Sequence, residues 1–309
     1  MADNAQSQSQ SAGVQTTGHV WDGDLQEFNN PLPTWWIYTF YVTVLFALVY
    51  WVAYPSWPVG KSFLPGINTV TYVNAQGEEE SWHWNTRAKL LVETQEAVAA
   101  QKPYFDKIAS LPYENVTKDP ELSSFVVSAG KALFSENCAA CHQAGGQGKI
   151  GLFPNLTDDD WLYGGGFENI HETLTKGRRG YMPPFSEALA PERIDELANY
   201  VVSLSGGKAD PAKTAKGKDL FHSHAAACFY CHGDDARGRR DIGSANLTDK
   251  VWLWADVPGA ESDAARIAAV RRVIAGGLNK GVMPAWEGRL NPEQIRLLTI
   301  YVHELGGGR

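Results

Sequence analysis

The pattern of apolar and polar positions divides the chain into stretches with different physical demands. From Trp35 to Tyr54 it runs for 20 residues without a charge. As a helix that run is about 30 Å long, the thickness of a bilayer's hydrocarbon core. Trp35, Trp36 and Tyr38 crowd one end, and Tyr50, Trp51, Tyr54 and Trp57 the other, as in the aromatic belts of a spanning helix. Pro33 precedes the run and Pro55 stops it. A cleaved signal peptide would need a basic start, a shorter apolar core and small residues at the cut. Residues 1–34 hold no Lys or Arg, and Pro55-Ser56-Trp57-Pro58 is a poor cleavage site. The reading is a retained transmembrane helix over 35–54, preceded by a short tail over 1–34. Residues 2–18, rich in Gln, Ser, Ala and Thr, are expected to be disordered.

Residues 55–120 read as a linker or helical spacer. Asn85 to Ile108 is expected to be partly helical, with Pro103 near a break or the start of a second piece. Farther on the apolar period becomes clearly helical. Ile194, Leu197, Val201 and Leu204 share one face before Gly206, and Ile295, Leu298, Val302 and Leu305 share one before Gly306. The second of these helices is expected to start with Asn291 as its cap and Pro292 at its first position.

These two helices are parts of a repeat. Gly130 and Phe134 recur as Gly217 and Phe221. Asn155-Leu156-Thr157-Asp158 recurs as Asn246-Leu247-Thr248-Asp249, with Trp161-Leu162 answered by Trp252-Leu253. Met182-Pro183-Pro184-Phe185 recurs as Met283-Pro284-Ala285-Trp286, and Tyr200-Val201 as Tyr301-Val302. Matches in fixed order predict duplicated modules, one over 121–207 and one over 208–309. The fold class is therefore mainly α: one N-terminal transmembrane helix followed by two tandem helical domains. Each module is small for a core of its own.

All four cysteines lie in the repeat, in Cys138-Ala139-Ala140-Cys141-His142 and Cys228-Phe229-Tyr230-Cys231-His232. C-x-x-C-H is the spacing for covalent attachment of c-type haem. The two thiols bond the porphyrin edge and the histidine ligates the iron. A redox dithiol or half a zinc site is the competing reading of C-x-x-C, and a following histidine in both copies argues against it. Two covalently bound c-type haems are expected, each supplying the apolar filling its module lacks. The domains are thus cytochrome c-like, with His142 and His232 as proximal ligands.

A sixth ligand must come from elsewhere. The chain has three methionines, Met1, Met182 and Met283. A methionine is usually core filler, but scarcity and matched repeat position mark Met182 and Met283 as axial ligands. Pairing within a module, His142 with Met182 and His232 with Met283, is the default. An exchange between modules satisfies the same sequence. His/Met ligation raises the reduction potential and leaves no open coordination site, so the irons should carry electrons and not bind substrate. His222 and His224 precede the second motif, where the ligand count is already complete. His19, His83, His171 and His303 lack partners at ligand spacing. Gly145-Gly146-Gln147-Gly148-Lys149 lacks the Walker spacing and reads as a loop around the first haem.

Charge adds a little. The chain carries a formal −8, unevenly spread: 6 basic against 12 acidic residues over 1–120, 6 against 11 over 121–207, and 15 against 12 over 208–309. That asymmetry could orient protein partners or simply be solvated surface. No basic stripe points to nucleic acid.

The run Trp21-Asp22-Gly23-Asp24-Leu25-Gln26-Glu27-Phe28-Asn29-Asn30-Pro31-Leu32-Pro33-Thr34-Trp35-Trp36, the single anchor and the two haem motifs together resemble the FixP (CcoP) family. These are the di-haem subunits of the cbb3-type cytochrome c oxidases of proteobacteria. The resemblance covers nearly the whole chain from about residue 21. It implies a bacterial inner-membrane protein, single-pass, with a cytoplasmic N-terminus and haem domains in the periplasm. It implies no catalytic centre in this chain. Electrons would come from soluble cytochrome c or the bc1 complex and pass through a mono-haem cytochrome c subunit to a haem-copper catalytic subunit, which reduces oxygen and pumps protons. Cys138, Cys141, His142 and Met182, then Cys228, Cys231, His232 and Met283, fall on the family's haem-binding positions. The alternatives are a membrane-tethered cytochrome serving another reductase, for which residues 21–36 would be a mere tether, and a di-haem peroxidase, which needs a five-coordinate iron.

Overall fold

The computed structural model describes residues 15–279 and 281–306, which fall into two units, Met1–Ala100 and Gln101–Arg309. Residues 2–14 of the tail expected to be disordered lie outside the described residues.

In the first unit, β1 (Thr16–Trp21) and β2 (Leu25–Phe28) form an antiparallel hairpin. Residues 16–18, the end of that tail, are therefore strand. The apolar run is one helix, α1 (Thr34–Ala53), with Pro33 as its N-cap and Tyr54 extended ahead of Pro55. No residue of α1 is buried within the chain, and it is a candidate membrane span. The strands β3 (Pro58–Val59) and β4 (Ser62–Phe63) pair, as do β5 (Thr69–Val73) and β6 (Glu79–His83). The spacer is thus partly sheet. It folds back on the end of α1: Asn68 N–H donates to Ala53 O at 3.0 Å, and the Tyr54 and Trp84 rings meet edge-on at 5.0 Å. Gly66 sits at φ +74°, and a Cβ there would lie 2.6 Å from Ala53 O, so only glycine allows this close return. The helix α2 (Thr86–Ser110) runs through Pro103 without ending, against the expected break. A proline inside a helix forfeits one backbone hydrogen bond. On the C-terminal side of Pro103, Tyr104, Phe105 and Ile108 are packed into a core, which offsets that loss.

The second unit is helical. It holds α3 (Tyr113–Lys118), α4 (Pro120–Asn137), α5 (Ala139–His142), α6 (Phe167–Lys176), the short strand β7 (Arg178–Arg179) and α7 (Pro191–Leu204). The second repeat follows with α8 (Pro211–Phe221), α9 (Cys228–His232), α10 (Asp263–Gly276), β8 (Val282–Met283) and α11 (Pro292–His303). Asn291 caps α11 as expected, in a reciprocal box with Gln294.

The two repeats pack crosswise. One core joins Phe134 of α4 and Ile170 and Leu174 of α6 to Ile295, Leu297, Leu298, Ile300, Tyr301 and Val302 of α11. The other joins Leu220 and Phe221 of α8 and Ala269, Val270 and Ile274 of α10 to Ile194, Leu197, Ala198, Val201 and Val202 of α7. Each core is therefore closed by the last helix of the other repeat, and the boundary near 207 does not separate them. Two features account for this. Only residues 205–210 connect α7 to α8, and helices joined by so short a loop become antiparallel neighbours. Glycine then admits each crossing. A Cβ on Gly130 would lie 2.7 Å from Tyr301 Cβ, and one on Gly217 would overlap Glu196 O and lie 2.9 Å from Tyr200 Cβ.

Candidate haem sites

Each C-x-x-C-H motif forms a short helical turn whose histidine is anchored from behind. His142 Nδ1 lies 3.0 Å from Pro154 O, and His232 Nδ1 lies 2.9 Å from Ala245 O. A carbonyl only accepts, so Nδ1 carries the proton and Nε2 keeps a free lone pair. Burial lowers the pKa of both imidazoles, the carbonyl contacts opposing it. The neutral ligand form is thereby favoured.

The loop that presents each carbonyl is built alike. After His142 and His232 the chain turns back, Gly148 N–H donating to His142 O at 2.9 Å and Gly238 N–H to His232 O at 2.8 Å. A Cβ on Gly148 would overlap Pro154 O, and one on Gly238 would overlap Ser244 O. The repeated asparagines then close Asx turns: Asn155 Oδ1 accepts from Thr157 N at 2.9 Å, and Asn246 Oδ1 from Thr248 N at 2.9 Å. The run 145–149 read as a haem loop is part of this device.

Both motifs, both histidines, Met182 and Met283 line one cavity of about 1190 Å³. A second, smaller recess brings Met182 together with His232 and Cys228, walled by Leu247, Trp252 and Val270. Met283 instead packs against the core that holds Cys138, Phe134 and Leu174. Backbone hydrogen bonds fix this arrangement. Met182 N–H donates to Leu278 O, and Leu278 N–H to Met182 O, each at 2.8 Å. Phe185 N–H reaches Ile274 O at the end of α10. In the other half, Met283 pairs with Arg178 across β7 and β8, and Trp286 N–H donates to Leu174 O at the end of α6. Gly177 and Gly277 end α6 and α10 at φ +71° and +64°, where a Cβ would collide with Met283 O and Met182 O respectively.

The default pairing of Met182 with His142 and Met283 with His232 is therefore not what the packing presents. The methionines follow α7 and α11 across to the opposite histidine. The cause is the short 205–210 connection, not a property of either methionine.

The lining fits a c-type haem. It is apolar on most sides, with two cysteines and one neutral imidazole per motif. The indole Nε1 of Trp286 is buried at the cavity wall and has no hydrogen-bond partner among the described residues, a donor that a porphyrin carboxylate would satisfy. Burial, the main cause, pushes the Cys138 and Cys228 thiols up to about 11. That is the opposite of a reactive dithiol, whose thiolate must be stabilised. In the sequence, the only sign of a role for Trp286 is its place after the repeated Met-Pro. The motifs do not mark Arg178, whose guanidinium lies 4.7 Å over the Tyr163 ring and donates to Glu172 at 2.9 Å beside the cavity.

Among the described residues, no histidine other than His142 and His232 lines the cavity. His303 stacks on Phe167 at 3.8 Å and His83 meets Phe63 edge-on at 5.2 Å.

A family model described as the N-terminal domain of cytochrome oxidase-cbb3, FixP, matches residues 13–61. A second, described as cytochrome c oxidase, cbb3-type, subunit III, matches residues 126–201 and 212–302. The chain is 41% identical over 306 residues to the cbb3-type cytochrome c oxidase subunit FixP of Azorhizobium caulinodans, covering 96% of this chain and 94% of that one. It is 40% identical to FixP of Sinorhizobium medicae over the whole of both chains. It is also 40% identical to subunit CcoP of an Azospirillum species, over 96% of this chain and 97% of that one.

Proposed function

Because this chain belongs to the FixP/CcoP family of cbb3-type cytochrome c oxidase subunits, electron-transfer members of an oxidoreductase complex, we propose that it is a membrane-anchored di-haem cytochrome that admits electrons to the oxidase. It holds one c-type haem at Cys138 and Cys141 and one at Cys228 and Cys231. Bound haem supplies a one-electron iron couple. His142 and Met283 would hold the iron of a haem at the first motif, and His232 and Met182 that of one at the second. The observation that carries this reading is the shared cavity, in which each neutral, carbonyl-anchored histidine has the other repeat's methionine on its side of the packing.

The chain's own residues bind and orient the group. Thioethers at the cysteines fix its edge, and the Pro154 and Ala245 carbonyls hold each imidazole's Nδ1 proton. The buried cores keep water from the irons. With a histidine and a methionine held to each iron, a bound haem would offer electron transfer and no open position for oxygen, so oxygen reduction is assigned to another subunit. Electrons arrive from soluble cytochrome c or the bc1 complex and leave through a mono-haem subunit toward the haem-copper subunit. Residues 121–207 and 208–309 are the two haem segments in sequence. The helix α1 spans the bacterial inner membrane once with the haem segments in the periplasm, the side on which c-type haem is attached. This orientation is supported by the haem motifs and not by charge, since residues 1–34 carry no Lys or Arg.

The test is purification in mild detergent through a tag on this chain, followed by oxygen uptake with reduced cytochrome c. Co-purifying b-type haem and copper with oxygen consumption is the expected result. A chain that emerges alone with two c-type haems and no uptake would instead be a tethered carrier.

A further inference from the structure

His222 has no role in axial ligation, yet its ring is held more tightly than a surface histidine requires. It follows Phe221 as the C-cap of α8. Its Nδ1 lies 2.9 Å from Lys218 O, in the last turn of α8, and its Nε2 lies 3.0 Å from Asp234 O, just past the second haem motif. Both partners are carbonyl oxygens, which only accept. A neutral imidazole has one N–H and can satisfy one of them; the imidazolium satisfies both. A cation at this place also faces the negative end of the α8 dipole. In the first repeat the matching residue, one after Phe134, is Ser135, which carries no proton-dependent charge.

We infer that His222 is a positioning residue for the second haem site, a protonated clamp that ties α8 to the turn carrying His232 and makes that site, and not the first, respond to pH. The inference rests on the proposal that a haem is attached at Cys228 and Cys231. The clamp ring stacks toward Phe229 of that motif at 6.4 Å and meets Tyr200 of α7 edge-on at 6.4 Å. The ionisable neighbours are few. Lys218 on α8 opposes the charge, and the Asp234 carboxylate on the facing loop favours it. His224 and Tyr230 lie beyond Phe229, against which both pack, and Tyr200 comes from α7. The contacts to the Asp234 and Lys218 carbonyls, in that order, hold the proton above the usual histidine range, with partial burial opposing.

The sign follows. A raised pKa means the clamp is fully formed below the ordinary histidine value of about 6.5 and opens as pH rises through the higher folded value. The protonated ring disfavours the extra positive charge of oxidised iron. Near its pKa, reduction of this iron by one electron is accompanied by partial uptake of one proton from water onto the imidazole. The potential of the second haem therefore falls as pH rises through this titration.

The experiment is a pH series of potentiometric titrations on the full haem-loaded chain in detergent. The haem at Cys228 and Cys231 is identified as the one lost when those cysteines become serine. His222→Gln should remove the part of that haem's slope that lies above the ordinary histidine value and set its potential low, leaving the part near pH 6 to Asp160, whose carboxyl lines the same recess. His222→Arg should remove the same part of the slope and keep the potential high. The first haem should be unchanged in both. An unaltered slope in His222→Gln, or equal changes at both haems, overturns the inference while leaving the di-haem reading intact. Absence of haem from the second motif in the unmodified protein overturns both.

Discussion

Replacing one methionine with leucine separates the crossed ligand arrangement from the within-repeat one. Met182 and Met283 are both partly buried, and leucine has nearly the same volume. The packing cost of such a swap is under about 1.5 kcal/mol, too little to unfold a domain of ordinary stability. Ligation is lost altogether, because leucine offers no donor atom. The clean assay uses a chain in which Cys228 and Cys231 are serine, so that only the first haem remains, and follows carbon monoxide binding to the reduced iron. A six-coordinate iron binds almost none, and an opened one binds readily. In that background Met283→Leu should convert the haem from unreactive to reactive, and Met182→Leu should leave it unreactive. The parent, unreactive with carbon monoxide, is the control that the remaining half is intact. If Met182→Leu opens the first haem and Met283→Leu does not, the packing of α11 on α4 and α6 does not determine ligation and the argument fails.

Leu298 is fully buried in the core closed by α11, so Leu298→Ala should cost about 2–5 kcal/mol, read by chemical denaturation, and should loosen the first haem before the second. Gly177→Ala places a side chain at φ +71° against Met283 O; a loss of about 1–3 kcal/mol is expected, with a first haem that binds carbon monoxide. Trp286→Phe removes the orphaned N–H together with one ring of the buried indole; the lost packing should lower the melting temperature with and without haem, and the haem-loaded chain should lose about 1–2 kcal/mol more than the haem-free one. Asp160 is pushed up to about 6 by burial first and then by Asp249 and Asp158, with Arg240 opposing. Its folded pKa is raised, so stability falls as pH climbs from the ordinary carboxylate range to about 6. Asp160→Asn should therefore raise the melting temperature at neutral pH and do little in acid.

Several features were legible because the signal is local. The C-x-x-C-H turns, the α1 span between its prolines and the Asn291 cap each depend on neighbours in sequence, and the structure has all three. The hairpin of β5 and β6 was missed although Thr69 to Val73 alternates between exposed and half-buried positions. Two short strands with no third are a weak pattern, closed here by Asn74 Oδ1 accepting from Gln76 N and Glu78 N. Pro103 misled because a helix-breaking residue was weighed without the core that Tyr104, Phe105 and Ile108 join. The crossing of the repeats was hidden for a different reason. The apolar faces of α7 and α11 are near copies, so either suits α4 or α8 by pattern. What distinguishes them is the shortness of the 205–210 connection, which is information about space.

The exchanged closing helices also set an order of manufacture. Polypeptide emerges from its N-terminus, and the cysteines of the first motif appear well before the segment that carries Met283 and α11. The first half cannot finish its core, or on the proposed ligation acquire its sixth ligand, until α11 has been delivered. The second half already has α7 and Met182 waiting when its own cysteines arrive. The downstream half can therefore mature first, and a chain cut short within α11 would, on the proposed ligation, spoil the upstream haem site. Neither half could be inherited or transplanted by itself as a working single-haem protein.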